Sequence, residues 1–207
     1  MSPRRLGSCW SVLCLCASLS ACSSSDEPDN TAGAGANNVA GANNVAGANN
    51  VAGASSSGDT EPANVVGITA AHNAARAAVT PAATPAIPSL VWSGAIAATA
   101  QAYAEQCKFE HSMGKYGENL YAAAGKDASA QEVVSSWVGE AANYDYAGNS
   151  CSGVCGHYTQ VVWRNSVRLG CGVAKCNKNS PFSGFSDWQI WVCNYDPPGN
   201  FNGARPY

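Results

Sequence analysis

Between residues 64 and 79, Val65, Ile68, Ala71, His72, Ala75 and Val79 recur at three- and four-residue intervals, a stripe that predicts an amphipathic helix. Pro81, Pro85 and Pro88 follow and predict its end and an extended connection, since proline lacks the amide donor and restricts the residue before it. Leu90-Val91-Trp92 is apolar. Ser93 then stands as the cap of a second, alanine-rich helix over 94–108, with Ile96, Tyr103 and Cys107 inward. Residues 111–117 read as a glycine-containing loop and Glu118 to Ala122 as a strand. Ser129-Ala-Gln-Glu132 fits a capping box, which predicts a third helix over 130–140 with Val133, Val134 and Trp137 inward. A polar loop with Cys151 and Cys155 follows. Tyr158 to Trp163 fits a short helix or a strand, and periodicity does not decide between them. Leu169 to Lys175 and Trp188 to Asn194 alternate and predict an antiparallel pair. From Pro197 the chain reads as Pro/Gly/Asn-rich coil. Helices on an antiparallel sheet predict a layered α+β architecture.

None of this patterning extends into the first 62 residues. Arg4 and Arg5 precede an apolar stretch from Leu6 to Leu19, too short to remain as a membrane span, so 1–22 reads as an export signal. Leu19-Ser20-Ala21-Cys22 resembles a bacterial lipobox, which would place a lipid on Cys22; an ordinary signal peptide cut near Ala21 is the alternative. Residues 23–62 contain a six-residue repeat, Ala-Gly-Ala-Asn-Asn-Val, too short in period for a solenoid and too poor in apolar surface to offset its ordering entropy. They read as a disordered spacer of roughly 35 Å mean reach. Residues 63–207 have the length and composition of one domain with a single core.

The ten cysteines sharpen this division. Cys9, Cys14, Cys16 and Cys22 belong to the leader, and six remain: Cys107, Cys151, Cys155, Cys171, Cys176 and Cys193. An even number in an exported domain predicts three disulfides, and the spacings lack the C-x-x-C knuckle of a zinc site. Charge excludes one class of partner. Two of the eleven basic residues lie in the leader and five of the fourteen acids in the spacer, leaving a domain balanced at nine of each. No basic patch points to nucleic acid. A monomer is expected.

Three histidines remain as candidate chemistry. His72 lies on the apolar stripe and reads as a structural, hydrogen-bonded residue. His111 and His157 each follow closely on a cysteine, in polar stretches that a disulfide would hold in place. With Glu118 and Glu140 they could form a two-histidine, two-carboxylate cluster able to hold zinc, with a glutamate as general base on its water. Spacing alone leaves open that these are four unrelated surface residues.

Longer motifs carry a resemblance. Gly156-His-Tyr-Thr-Gln-Val-Val-Trp163-Arg-Asn165 with Gly170-Cys171, and Val192-Cys-Asn-Tyr-Asp-Pro-Pro-Gly-Asn200, resemble the two signatures of the superfamily uniting cysteine-rich secretory proteins, antigen five and plant pathogenesis-related group-one proteins, the CAP or SCP domain. The plant branch is the nearer match, through Cys107-x-x-x-His111-Ser, Tyr116-Gly-Glu-Asn119-Leu120, Trp137-x-x-Glu140, Arg205-Pro-Tyr207 and the opening His72-Asn73-x-x-Arg76. The resemblance implies a three-layer α-β-α sandwich around a central antiparallel sheet. It implies the pairings Cys107–Cys176, Cys151–Cys155 and Cys171–Cys193. It also implies a cleft of His111, Glu118, Glu140 and His157, whose histidines hold zinc or another divalent metal. The leader and repeat spacer are not plant-like and suggest a bacterial membrane-anchored lipoprotein or extracellular protein.

Family likeness does not imply a single reaction. One reading is a binding module for metal and for a lipid, sterol or other surface ligand, at the membrane to which its lipid anchor ties it. A second is a metal-dependent peptidase with Glu118 and Glu140 as the catalytic carboxylates, although the H-E-x-x-H arrangement is absent. A third is an extracellular antimicrobial or interaction effector without catalysis.

Overall fold

The computed structural model describes residues 60–207; the leader, the lipobox Cys22 and the spacer through residue 59 lie outside the described residues. The elements are α1 (Ile68–Ala77), β1 (Val91–Trp92), α2 (Gly94–Ala104), β2 (Gly117–Ala124), α3 (Ala130–Gly139), β3 (Tyr144–Asp145), β4 (Ser150–Cys151), α4 (Gly156–Val161), β5 (Arg168–Cys176) and β6 (Trp188–Asp196). The main sheet runs β1-β5-β6-β2, and β3 and β4 form a separate pair.

Strand alternation builds the layers. Leu169, Cys171 and Val173 of β5 and Trp191, Cys193 and Tyr195 of β6 point to one face, where they pack with Ile68 of α1, Val133 and Trp137 of α3 and Val161 of α4. Trp188, Ile190 and Val192 alternate to the other face with Leu120 of β2, against Ala100 and Ala104 of α2. The result is the expected three-layer α-β-α sandwich. Its sheet is antiparallel except at one edge, where Val91 and Trp92 pair parallel with Arg168 and Leu169. Backbone bonds from Val91 N to Val167 O and from Ser93 N to Leu169 O fix that edge. The three disulfides are Cys107–Cys176, Cys151–Cys155 and Cys171–Cys193, as the resemblance implied. The first closes a separation of 69 residues, which on the chain-entropy account contributes roughly 4 kcal/mol.

Several boundaries differ from the sequence reading, each for a local reason. α1 starts at Ile68 rather than 64, because Gly67 turns left-handed with φ 89°. Its first amides are capped from a distance: the Glu61 carboxylate accepts from Gly67 N (2.6 Å) and Thr69 N (2.7 Å), so a residue read as spacer belongs to the folded unit. α2 ends at Ala104, not 108, because Cys107 takes φ 56° to reach its disulfide. Tyr103 is half-buried rather than inward, and its hydroxyl donates to Glu110 O. The undecided 158–163 stretch is helical through Val161. The tail carries no regular element, yet Arg164 N bonds Pro206 O and the Tyr207 ring stacks on Tyr146 at 4.7 Å.

His72 is structural, as read. It is fully buried, its Nδ1–H donates to Ile68 O (2.7 Å), and its Nε2 accepts from the Tyr195 hydroxyl (2.8 Å). Burial, reinforced by nearby Arg76, pushes its pKa down to about 4. The unfolded chain therefore takes up a proton between about pH 6.5 and pH 4 that the folded state refuses, so stability falls across that window and levels off below it. The loss is about 3 kcal/mol. Urea unfolding at pH 7 and pH 4 should show this loss in the wild type and a correspondingly smaller one in His72→Gln. Equal pH slopes for the two proteins would contradict it.

Candidate functional site

Glu118 is the second residue of β2, and its ladder partner on β6 is Asn194. Alternation puts its side chain on the α2 face with Leu120. His111 lies in the loop that leaves the Cys107 disulfide, and its Nδ1 bonds Glu118 Oε1 at 2.9 Å; Ser112 N donates to the same oxygen at 2.9 Å. The other oxygen, Oε2, is buried without a partner. Burial alone would raise the Glu118 carboxyl, but the bonds from His111 and Ser112 together outweigh it and hold the group below its ordinary range. The same bond raises the His111 imidazole. Nearby Tyr103 is pushed up by burial and then by the carboxylates of Glu118 and Glu110.

The second pair belongs to the other helical layer. Glu140 is the C-cap of α3, and its Oε2 accepts the backbone N–H groups of His157 (2.9 Å) and Tyr158 (3.3 Å). It thus caps the first turn of α4, whose amides would otherwise lack partners. Its Oε1 takes His157 Nδ1 at 2.6 Å, and the imidazole stacks on Trp137 with an interplanar angle of 17°. A carboxylate only accepts, so in both pairs Nδ1 carries a proton, and in the neutral imidazole the lone pair is then on Nε2.

The structure thus joins the four predicted residues as two dyads, His111–Glu118 and His157–Glu140. Among the described residues, no three or more His, Cys, Asp or Glu side chains converge as a metal-sized group. Asn119 links the neighbourhoods: it follows Glu118, faces the opposite layer, and donates through Nδ2 to His157 O (3.1 Å) and to the Tyr195 hydroxyl (3.0 Å). Through Tyr195 this chain of bonds reaches His72 and α1. Asn119, Tyr195, Ser112 and Trp137 were not read as site residues. The only available signal is their place inside the quoted motifs, because the bonds of Asn119 and Tyr195 join segments distant in sequence and that of Ser112 comes from its backbone.

With the fold and these dyads in view, comparison with known proteins is specific. Residues 69–195 match the model of the cysteine-rich secretory protein family, and the chain belongs to that family. It is 48% identical over 141 residues to pathogenesis-related protein 1 of Arabidopsis thaliana, covering 66% of this chain and 78% of the relative. It is 50% identical over 141 residues to the basic form of pathogenesis-related protein 1 of Nicotiana tabacum, covering 66% and 71%. Among solved structures, venom allergen-like protein 4 of Schistosoma mansoni superposes with a TM-score of 0.57 at 26% identity, covering 71% of this chain and 95% of that one. NaASP2, solved with Zn2+, superposes with a TM-score of 0.56 at 28% identity, covering 73% and 87%. The protein is an exported member of the family, of its pathogenesis-related type.

Proposed function

We propose that this domain is a binding module of the cell exterior. It holds a divalent metal, zinc first among them, through Nε2 of His111 and of His157 brought together around the free edge of β2, and takes a lipid or sterol at the membrane to which Cys22 ties it. The observation that carries the metal reading is the arrangement of both imidazoles. Each gives its Nδ1 proton to a carboxylate, which leaves a basic Nε2 fixed in orientation, the usual outer-shell support of a metal-bound histidine. Glu118 and Glu140 then act as orienting groups rather than ligands. Two neutral imidazoles suit zinc, with water or ligand completing its shell. The zinc in the solved NaASP2 structure lends support from a relative. A bound metal would supply a Lewis acid at the protein surface.

Elemental analysis of protein purified without chelator should find about one zinc per wild-type chain and much less in His111→Ala, which removes one of two protein ligands; loss of a supporting carboxylate alone, as in Glu118→Gln, should weaken the site by about 10–100-fold. Zinc in neither protein overturns the metal reading. A melting temperature unmoved by sterols and fatty acids removes the lipid reading.

A metal-dependent hydrolase is the second reading, and one observation favours it. Glu118 Oε2 has no partner and is the oxygen free to take a proton from water, whereas Glu140 has both oxygens engaged. Peptide cleavage that persists in both His111→Ala and His157→Ala would detach these residues from such chemistry.

A further inference from the structure

On the α2 face, Glu118 and Asn194 stand directly opposite each other in the β2–β6 ladder. Each carries a buried oxygen with no hydrogen-bond partner among the described residues: Oε2 of Glu118 and Oδ1 of Asn194. A buried polar atom without a partner is rare in a folded protein and calls for an explanation. Two acceptors side by side on one face of the sheet call for a single one. Glu118 Oε1 does not share in it, because His111 and Ser112 already occupy that oxygen.

Asn194, only 3% exposed, is also the floor of a groove of about 550 Å3. Ala98, Ala102 and Tyr103 of α2 form one wall, and the loop at Ser112 and Gly114 forms the other. The lining is mostly apolar, with Thr99, Gln106 and Ser112 as its polar wall residues, and its floor residue Asn194 has the Glu118 carboxylate as its ladder neighbour. The complementary molecule has a slender apolar body and a head that donates several hydrogen bonds and carries positive charge. A primary ammonium on an unbranched chain meets this description, having three donors and no acceptor. An alcohol offers a single donor and no charge. A carboxylate offers no donor and is repelled by Glu118.

We propose that the groove between α2 and the 112–114 loop binds a small aliphatic amine, with its ammonium group set against Glu118 Oε2 and Asn194 Oδ1. This site goes beyond the metal and lipid reading and needs neither.

The test is calorimetric titration of the full chain in EDTA near neutral pH, with hexylamine, hexanol and hexanoate as probes. Working in EDTA separates this proposal from the metal reading, since either can then fail without the other. Hexylamine should bind at least about tenfold more tightly than hexanol, a single step on the affinity scale, and hexanoate should give no heat. Asn194→Leu, which removes the acceptor at similar volume, should weaken hexylamine by about tenfold or more. Asn194→Asp keeps the acceptor and adds charge, so it should tighten binding, and it decides the matter if Asn194→Leu does not fold. The proposal is overturned if hexylamine gives no heat at millimolar concentration. It is equally overturned if hexanoate matches hexylamine, since the groove floor would then present the Asn194 amide N–H groups, or if Asn194→Asp weakens the amine.

Discussion

Arg76→Ala is expected to lower the stability of this domain by about 5 kcal/mol or more, enough to leave much of it unfolded at room temperature. Arg76 lies on α1 and is 2% exposed, yet among the described residues no carboxylate pairs with it. Its guanidinium instead donates to backbone carbonyls. Nε bonds Pro88 O (2.8 Å), Nη1 bonds Val161 O and Trp163 O (2.9 Å each), and Nη2 bonds Ser166 O (3.0 Å) and, more weakly, Arg164 O (3.5 Å). Val161 ends α4, so these are the carbonyls that a helix C-terminus leaves open, and a cation there is favoured by the helix dipole. One side chain thus ties α1, the proline connection and the turn after α4 to a common point. Burial, with Arg164 adding to it and Tyr195 opposing, pulls its pKa down to about 10, so it keeps its charge at neutral pH. Truncation leaves the carbonyls of Pro88, Val161 and Ser166 without this donor and Trp163 O with Ser166 N alone, and each unmade bond costs about 1–3 kcal/mol. Arg76→Lys should recover only part of the loss, because one ammonium cannot reproduce a planar fork of five donors. Urea unfolding followed by tryptophan fluorescence measures the effect. An Arg76→Ala midpoint close to that of the wild type would show that water replaces the guanidinium at these carbonyls.

Arg76 also marks the limit of what the sequence reveals. Its place four residues after His72 is visible as a motif, but all its partners except Pro88 lie 85 to 90 residues away and no periodicity points to them. What was legible was local. The capping box of α3 forms as read, with Ser129 Oγ accepting from Glu132 N and Glu132 reaching back to Ser129 N. The alternation in β5 and β6 set which side chains meet which helices, because a period of two leaves one face for each layer. The 158–163 stretch stayed ambiguous because every residue in it is buried, so no polar face existed to betray a period. The four site residues were nameable, and the division into two dyads was not. That division depends on β2 sending Glu118 to the α2 face while α3 and α4 carry Glu140 and His157 on the other.

The contact between α2 and the sheet carries the last expectation: Gly170→Ala and Gly172→Ala combined should cost more than about 4 kcal/mol, beyond the usual penalty of a single overpacked methyl group. Both glycines belong to β5 and face α2, two residues apart, where other strand positions would project side chains. A methyl on Gly170 would sit 2.5 Å from the Ile96 carbonyl carbon and closer still to Ala97 N. On Gly172 it would sit 2.9 Å from the Ala100 carbonyl carbon and closer still to the Gln101 backbone. These obstacles are backbone atoms of a helix and cannot rotate aside as a side chain would. The helix cannot simply lift away either. Gln101 Oε1 accepts from Val173 N (3.0 Å) and its Nε2 donates to Val173 O (3.2 Å), which sew α2 to the strand at the point of closest approach. Alanine at either site therefore breaks that pair of bonds or bends β5, and β5 carries Cys171 and Cys176, the ends of two disulfides. The same displacement would widen the groove beside Asn194, since α2 forms one of its walls. Thermal unfolding of the two single variants and the double variant measures the cost. Singles that each melt within a degree or two of the wild type would mean that α2 moves off the sheet freely, and that the glycines do not set its position.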